Sequence, residues 1–158
     1  MRRRKFLQLA TAAAITPSWA LAQDGTGIDL PDCTVVLSSS ASARESKAAQ
    51  VLIEEAAKRC GITWPVGNSK KATSKVTIYL ATRQSAGKLP KRNLIPQPIV
   101  NGLQVDGFLL QSGQDSDGVW IAIVGADERG LLFGVGKLLR LIDFGRQQAT
   151  LAAAPLHL

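Results

Sequence analysis

The sequence predicts an α+β fold in a single domain: a mixed β-sheet of about four strands with two helices packed on one face, in the order β-α-β-β-β-α. Three observations predict it. Residues 42–60 open on a helix-capping signal and continue with apolar residues at helical spacing. Residues 75–82 alternate in the manner of a two-faced strand. Two apolar runs, 107–112 and 118–125, lead straight into a second periodic segment.

Taken in order, "TVVLS" at residues 34–38 is short, β-branched and bounded by polar residues, which describes a strand. Ser42 and Glu45 follow as an S-x-x-E capping box, each side chain satisfying a free backbone donor of the helix start. Ala48, Val51, Leu52, Ala56 and Cys60 then recur on one face, and Gly61 supplies a left-handed stop. A polar loop, "GNSKKATS", separates this helix from "KVTIYLAT", where Val76, Ile78 and Leu80 alternate with Thr77 and Tyr79. Residues 83–106 carry Pro90, Pro96 and Pro98 without a sustained period; a loop of that length reads as a contact surface. "GFLLQS" and "GVWIAIVG", joined by "GQDSD", read as a hairpin with a loop of about five residues. Asp127 caps the second helix, Glu128 lies near its positive end, and Leu131, Val135, Leu138, Leu139 and Ile142 form its apolar face up to Gly145.

Inside that second helix, "GVGK" at residues 134–137 imitates the end of a phosphate-binding loop. The loop requires G-x-x-x-x-G-K-[ST], so that backbone donors and the lysine surround phosphate while a hydroxyl meets magnesium. Here Leu131 stands where the first glycine belongs and Leu138 where the hydroxyl belongs. Gly130 and Gly134, four residues apart, share a helix face, and Gly136 lies near the same stripe. All three read as packing glycines, their helical cost of about 0.5–1 kcal/mol each offset by close approach to the sheet.

The N-terminus has a separate logic. Arg2, Arg3, Arg4 and Lys5 precede a weakly apolar run over residues 6–22 that ends in Ala20-Leu21-Ala22, an A-x-A cleavage site. Arg3 and Arg4 with Phe6 and Leu7 resemble the twin-arginine export motif. Gln8, Pro17 and Ser18 interrupt the run, which falls short of the roughly 20 apolar residues of a membrane span, so no stable membrane anchor is expected. Cleavage after Ala22 would send the remainder to the periplasm or beyond. Four of the 19 basic residues and none of the 12 acidic ones lie in this leader, so the rest carries only +3. That mild balance, with short clusters at Lys70-Lys71 and Lys91-Arg92, lacks the basic stripe and interleaved aromatics of a nucleic-acid binder.

The chemistry-bearing residues are few. His157 is the single histidine and no C-x-x-C is present, so neither metal nor cofactor is expected. Glycoside hydrolysis needs two carboxyl groups facing each other across a sugar. Glu54 and Glu55 are adjacent on a helix and diverge by about 100°. Asp115 and Asp117 fall in a hairpin, and Asp127 and Glu128 at a helix start. The serines at 38–40 lack a G-x-S-x-G elbow. Trp64, Trp120 and Tyr79 could stack on a carbohydrate, though such large apolar rings more often fill cores. No catalytic residue is assigned. Cys33 and Cys60 lie where strand start and helix end approach one another, leaving a disulfide and a pair of buried thiols both open.

With these elements in place, "RGLLFGVGKLLRLI" (129–142) resembles the closing helix of the small N-terminal domain that precedes the catalytic barrel of certain glycoside hydrolases. "KAAQVLIEEAAKRCGITWPV" resembles its first helix, "VDGFLLQS" its extended strand, and "VWIAIVGADERG" its strand into the last helix. The families concerned are the bacterial β-N-acetylhexosaminidases and the xylan-debranching α-glucuronidases, and the chain stands slightly nearer the second. The resemblance covers about residues 33–146. It implies an α+β domain without catalytic residues, followed by a (β/α)₈ barrel that does the chemistry, and nothing here matches the H-x-G-G-D-E-like motif of hexosaminidases. The organisation expected is a leader at 1–22, a linker at 23–32, the domain at 33–146, and a linker at 147–158 toward a barrel absent from this chain. The expected partner is that barrel or another chain, with a carbohydrate as a further candidate. Alternation assigns Val76, Ile78, Leu80, Val119, Ile121 and Ile123 to the helix-covered core. It leaves Val36, Thr77, Tyr79, Trp120, Ala122 and Val124 on an opposite face. The docking surface expected from sequence is therefore Tyr79, Trp120 and Val124, together with the segment 83–106.

Overall fold

A computed structural model describes residues 27–67, 74–91 and 94–152; the leader and His157 lie outside them. Five strands form the main sheet: β2 (Cys33–Leu37), β3 (Val66–Gly67), β4 (Val76–Thr82), β5 (Phe108–Asp115) and β6 (Gly118–Gly125). Their order is β3-β2-β4-β6-β5. The first four run parallel, with Val35 opposite Ile78 and Ile78 opposite Ile121, while β5 closes the edge antiparallel to β6. Helices α1 (Ala43–Cys60) and α3 (Glu128–Leu141) cover one face, and the short α2 (Gln97–Asn101) belongs to the segment crossing the other.

The main core lies between the sheet and α1/α3. Val35, Val76, Ile78, Leu80, Leu110, Ile121 and Ile123 meet Ala48, Leu52 and Ala56 of α1 and Leu131, Val135 and Leu138 of α3. Small residues on α1 let its axis approach the strands, and the branched strand side chains fill the space between. The capping box is complete: Ser42 Oγ accepts from Glu45 N at 3.2 Å and the Glu45 carboxylate accepts from Ser42 N at 2.5 Å. Gly61 ends α1 at φ +76°, and its N–H donates to the Ala57 carbonyl.

Several boundaries differ from the sequence reading. The apolar pattern of the last helix continues to Ile142, yet the helix stops at Leu141 and Ile142 turns extended. There it begins β7 (Ile142–Gly145), which pairs with β8 (Gln148–Leu151), and β8 pairs in turn with β1 (Ile28–Asp29). A second, three-stranded sheet thus takes β1 and β8 from stretches read from sequence as linkers, while β7 lies within the stretch read as the domain. The hairpin loop is shorter than expected, since β5 runs to Asp115 and β6 starts at Gly118. Backbone pairing continues through polar residues because the ladder needs only N–H and C=O groups.

Cys33 and Cys60 are both buried, and in this structure their thiols are free. The Cys60 thiol donates to the Ala56 carbonyl at 3.1 Å within α1, and burial pushes the Cys33 thiol up to about 12.

Candidate functional site

The second face of the sheet is not open. The segment 83–106 folds over it, placing Leu89, Ile95 and Val100 against Val36, Tyr79, Ala81, Leu109, Ala122 and Val124. Tyr79 and Val124, expected on a docking surface, are therefore core residues beneath that segment. Trp120 is half-buried at its border and lies over Gly113 of the neighbouring strand; a Cβ on Gly113 would strike the indole. The alternation was read correctly, but the cover comes from this chain itself. Lys91 fastens the segment to the hairpin end, lying against Asp115 and 3.1 Å from Asp117. A cavity of about 410 Å³ remains under it, bordered by Arg83, Lys91, Leu94, Gln97 and Val124. Arg83 donates to the Leu103 carbonyl through Nη2, while its Nε has no partner among the described residues and is shut off from solvent. A dissolved anion would not reach that nitrogen without rearrangement.

The carboxylates are spread around the fold, engaged in local work. Glu45 is buried beside the C-terminal end of β4, where Thr82 N donates to it at 2.7 Å and Ser85 Oγ also donates. Burial pushes its carboxyl upward, but hydrogen bonds from Ser85, Ser42 and Thr82 outweigh that and hold it below the usual glutamate range. Glu54 accepts from Gln50, and Glu55 pairs with Lys58 at 2.9 Å. Asp127 caps α3 by accepting from Gly130 N at 2.9 Å, and its other oxygen accepts from Asp106 N at 3.0 Å. These backbone donors hold the Asp127 carboxyl low. Among the described residues, no group of three His, Cys, Asp or Glu could hold a metal ion. Trp64 is buried with its indole N–H donating to the Leu30 carbonyl at 2.8 Å, which removes it from any sugar-stacking surface.

The glycines of α3 fall into two kinds. A Cβ on Gly130 would run into the Gly107 carbonyl oxygen, and one on Gly134 into Ile123 Cγ2. Gly136 differs: the nearest atom to its Cβ position is Arg140 Nη1 at 4.0 Å, so nothing among the described residues requires a glycine there. Packing does not account for Gly136. It lies on the outward side of α3 with Leu132 and Phe133, which are 44% and 47% exposed. The sequence reading missed this feature, although the i, i+1, i+4 spacing of Leu132, Phe133 and Gly136 opposite the core stripe was visible. Among the described residues no helix is long and apolar enough to cross a membrane.

A mixed sheet carrying two helices on one face has the form of an N-terminal domain of glycoside hydrolases. The chain belongs to the glycosyl hydrolase family 67 N-terminus family, whose model matches residues 21–138. No curated protein matches it significantly in sequence. Among solved structures it is similar to the GH20 β-N-acetylhexosaminidase from Streptomyces coelicolor A3(2), with TM-score 0.51 and 16% identity, covering 84% of this chain and 23% of that one. It is also similar to the chitobiase of Flavobacterium johnsoniae (TM-score 0.48, 14% identity, 84% of this chain and 18% of that one). A mutant β-hexosaminidase from Streptomyces plicatus gives TM-score 0.46 and 14% identity over 84% and 23%. At these identities the Streptomyces coelicolor likeness shows the fold. The chain spans less than a quarter of the length of each of these three proteins.

Proposed function

We propose that this chain is the non-catalytic N-terminal domain of a secreted, polysaccharide-degrading glycoside hydrolase, of the xylan-debranching α-glucuronidase or the β-N-acetylhexosaminidase type. It packs against a (β/α)₈ barrel that carries the reaction. The family match over residues 21–138 is the observation that carries this reading. The local chemistry supports it. Hydrolysis of a glycoside takes two carboxyl groups roughly 5–9.5 Å apart with a sugar between them. The buried carboxylate here, Glu45, instead accepts from Ser42, Thr82 and Ser85, and Asp115 and Asp117 both serve Lys91. The leader at residues 1–22 exports the protein by the twin-arginine route, leaving Gln23 as the new terminus.

The purified chain should leave aryl β-N-acetylglucosaminides and glucuronic-acid-substituted xylo-oligosaccharides intact. Turnover that survives purification and vanishes on replacing one acidic residue would overturn the non-catalytic reading. N-terminal sequencing of exported material should begin at Gln23; an intact Met1 in the periplasm would refute the cleavage site.

A further inference from the structure

We infer that the cavity under the segment 83–106 is a binding site for an amphiphilic monocarboxylate, a single carboxylate on a small apolar body. Arg83 takes the carboxylate, and the apolar body rests on Leu89, Ile95, Val100 and Val124. The site lies within this chain and does not depend on the reading of the chain as an N-terminal domain.

The cavity measures about 410 Å³, within the roughly 300–1,000 Å³ of small-molecule pockets. Its walls divide by chemistry. Leu89, Ile95, Val100 and Val124 are buried and apolar, whereas Gln84, Gly87 and Gln97 are exposed and mark its mouth. Water against such a floor gains few hydrogen bonds, so an apolar group displaces it favourably. Two cations border the same space, and they differ in their partners. Lys91 is matched by Asp115 and Asp117. Arg83 is half-buried, and no carboxylate among the described residues pairs with it. Its Nη2 donates to the Leu103 carbonyl, its Nε is shut off from solvent, and its Nη1 has no acceptor among the described residues. A guanidinium held partly out of water without a counter-ion is unfavourable, and a bound carboxylate relieves it.

Charge and polarity together define the occupant. Lys91 already faces two carboxylates, so only the Arg83 charge is left to be balanced, and a ligand with one negative charge balances it. A phosphate dianion would carry one charge too many. A sugar acid would turn hydroxyl groups toward an apolar floor and leave them without partners. A carboxylate on an aromatic ring or a short alkyl chain satisfies both walls at once. Because Nε is closed off, the carboxylate meets Arg83 through Nη1, in one charge-assisted hydrogen bond rather than the two-pronged pair of an open arginine. Lys91, tied to the hairpin end, fixes one wall of the cavity beside it.

The test is calorimetric titration of the full chain with phenylacetate, beside phenylethanol, which lacks the charge, and acetate, which lacks the ring. Phenylacetate should bind. Phenylethanol should bind at least about tenfold more weakly, the size of one lost charge-assisted hydrogen bond, and acetate should be weaker by a similar factor for want of a buried ring. Arg83→Gln should weaken phenylacetate at least about tenfold while leaving phenylethanol within about twofold, a split that general loosening of the fold would not produce. Arg83→Gln also removes the tie to Leu103, so Gly87→Trp serves if that variant fails to fold. A Cβ at Gly87 meets nothing within 4 Å, and an indole there closes the mouth, so binding should vanish with the unfolding midpoint unchanged. Equal affinity for phenylacetate and phenylethanol, or binding that neither variant alters, overturns the proposal. Acetate or inorganic phosphate binding as tightly as phenylacetate would make this a general anion site and overturn the apolar assignment. No binding of phenylacetate at millimolar concentration overturns it outright.

Discussion

Helices α1 and α3 lie on the same sheet face and contribute to one core, yet their outward sides have opposite chemistry. On α1 the outward stripe is a polar ladder: Lys47 Nζ donates to Gln50 at 3.0 Å, and Gln50 donates to Glu54 at 2.6 Å. On α3 the corresponding stripe carries Leu132, Phe133 and Gly136 between two arginines. The inward faces serve the fold and are alike. The outward faces differ: one is a row of hydrogen-bonded polar side chains, whereas the other leaves two large apolar residues exposed. Their N-termini differ as well. The α1 capping box buries Glu45 and joins it to β4, whereas the α3 cap, Asp127, is half-buried and reaches back to Asp106.

The largest expected effect is therefore at the α1 end. Glu45→Ala removes a cap and leaves the buried Thr82 N–H short of its carboxylate acceptor, a loss of about 4 kcal/mol in chemical denaturation. Because the folded-state pKa of Glu45 lies below the ordinary glutamate value of 4.5, its contribution is present above that value and is lost as pH falls through the folded value. Stability of the unaltered chain should thus drop more steeply in acid than that of Glu45→Ala; parallel acid limbs would refute the assignment. Next comes Gly130→Ala, whose Cβ meets backbone rather than a yielding side chain. A loss of about 3 kcal/mol is expected, and a neutral result would show that α3 does not press on residue 107. Asp127→Ala should lose about 1 kcal/mol, the usual worth of a single N-cap, read from the thermal midpoint.

The same contrast explains what was legible in the sequence. The α1 boundaries followed from Ser42, Glu45 and Gly61 because capping is local chemistry, and the two sheet faces followed from alternation. The cover on the second face was not legible. Leu89, Ile95 and Val100 have no regular period, and prolines interrupt the segment, so only tertiary packing reveals their common target. The end of α3 was misplaced because Ile142 continues the helical apolar pattern while its backbone pairs with Leu151. Strands β1 and β3, two residues each, are too short to carry any periodic signal. Tyr79 and Val124 were read as an open face for a related reason. Alternation tells which side chains share a surface; it does not tell what lies over them.

The smallest effect tests the comparison most directly. In the full chain, Leu132→Gln/Phe133→Gln/Gly136→Ala should leave unfolding stability unchanged or raise it by about 0.5–1 kcal/mol, since alanine improves the helix and the removed side chains do not serve the core. The matching triple change on α1, Lys47→Ala/Gln50→Ala/Glu54→Ala, should likewise fall within about 0.5 kcal/mol, as exposed substitutions do. If denaturant unfolding shows the α3 variant losing more than about 2 kcal/mol, the magnitude of core truncation, its outward residues belong to the fold and the contrast between the two helices fails.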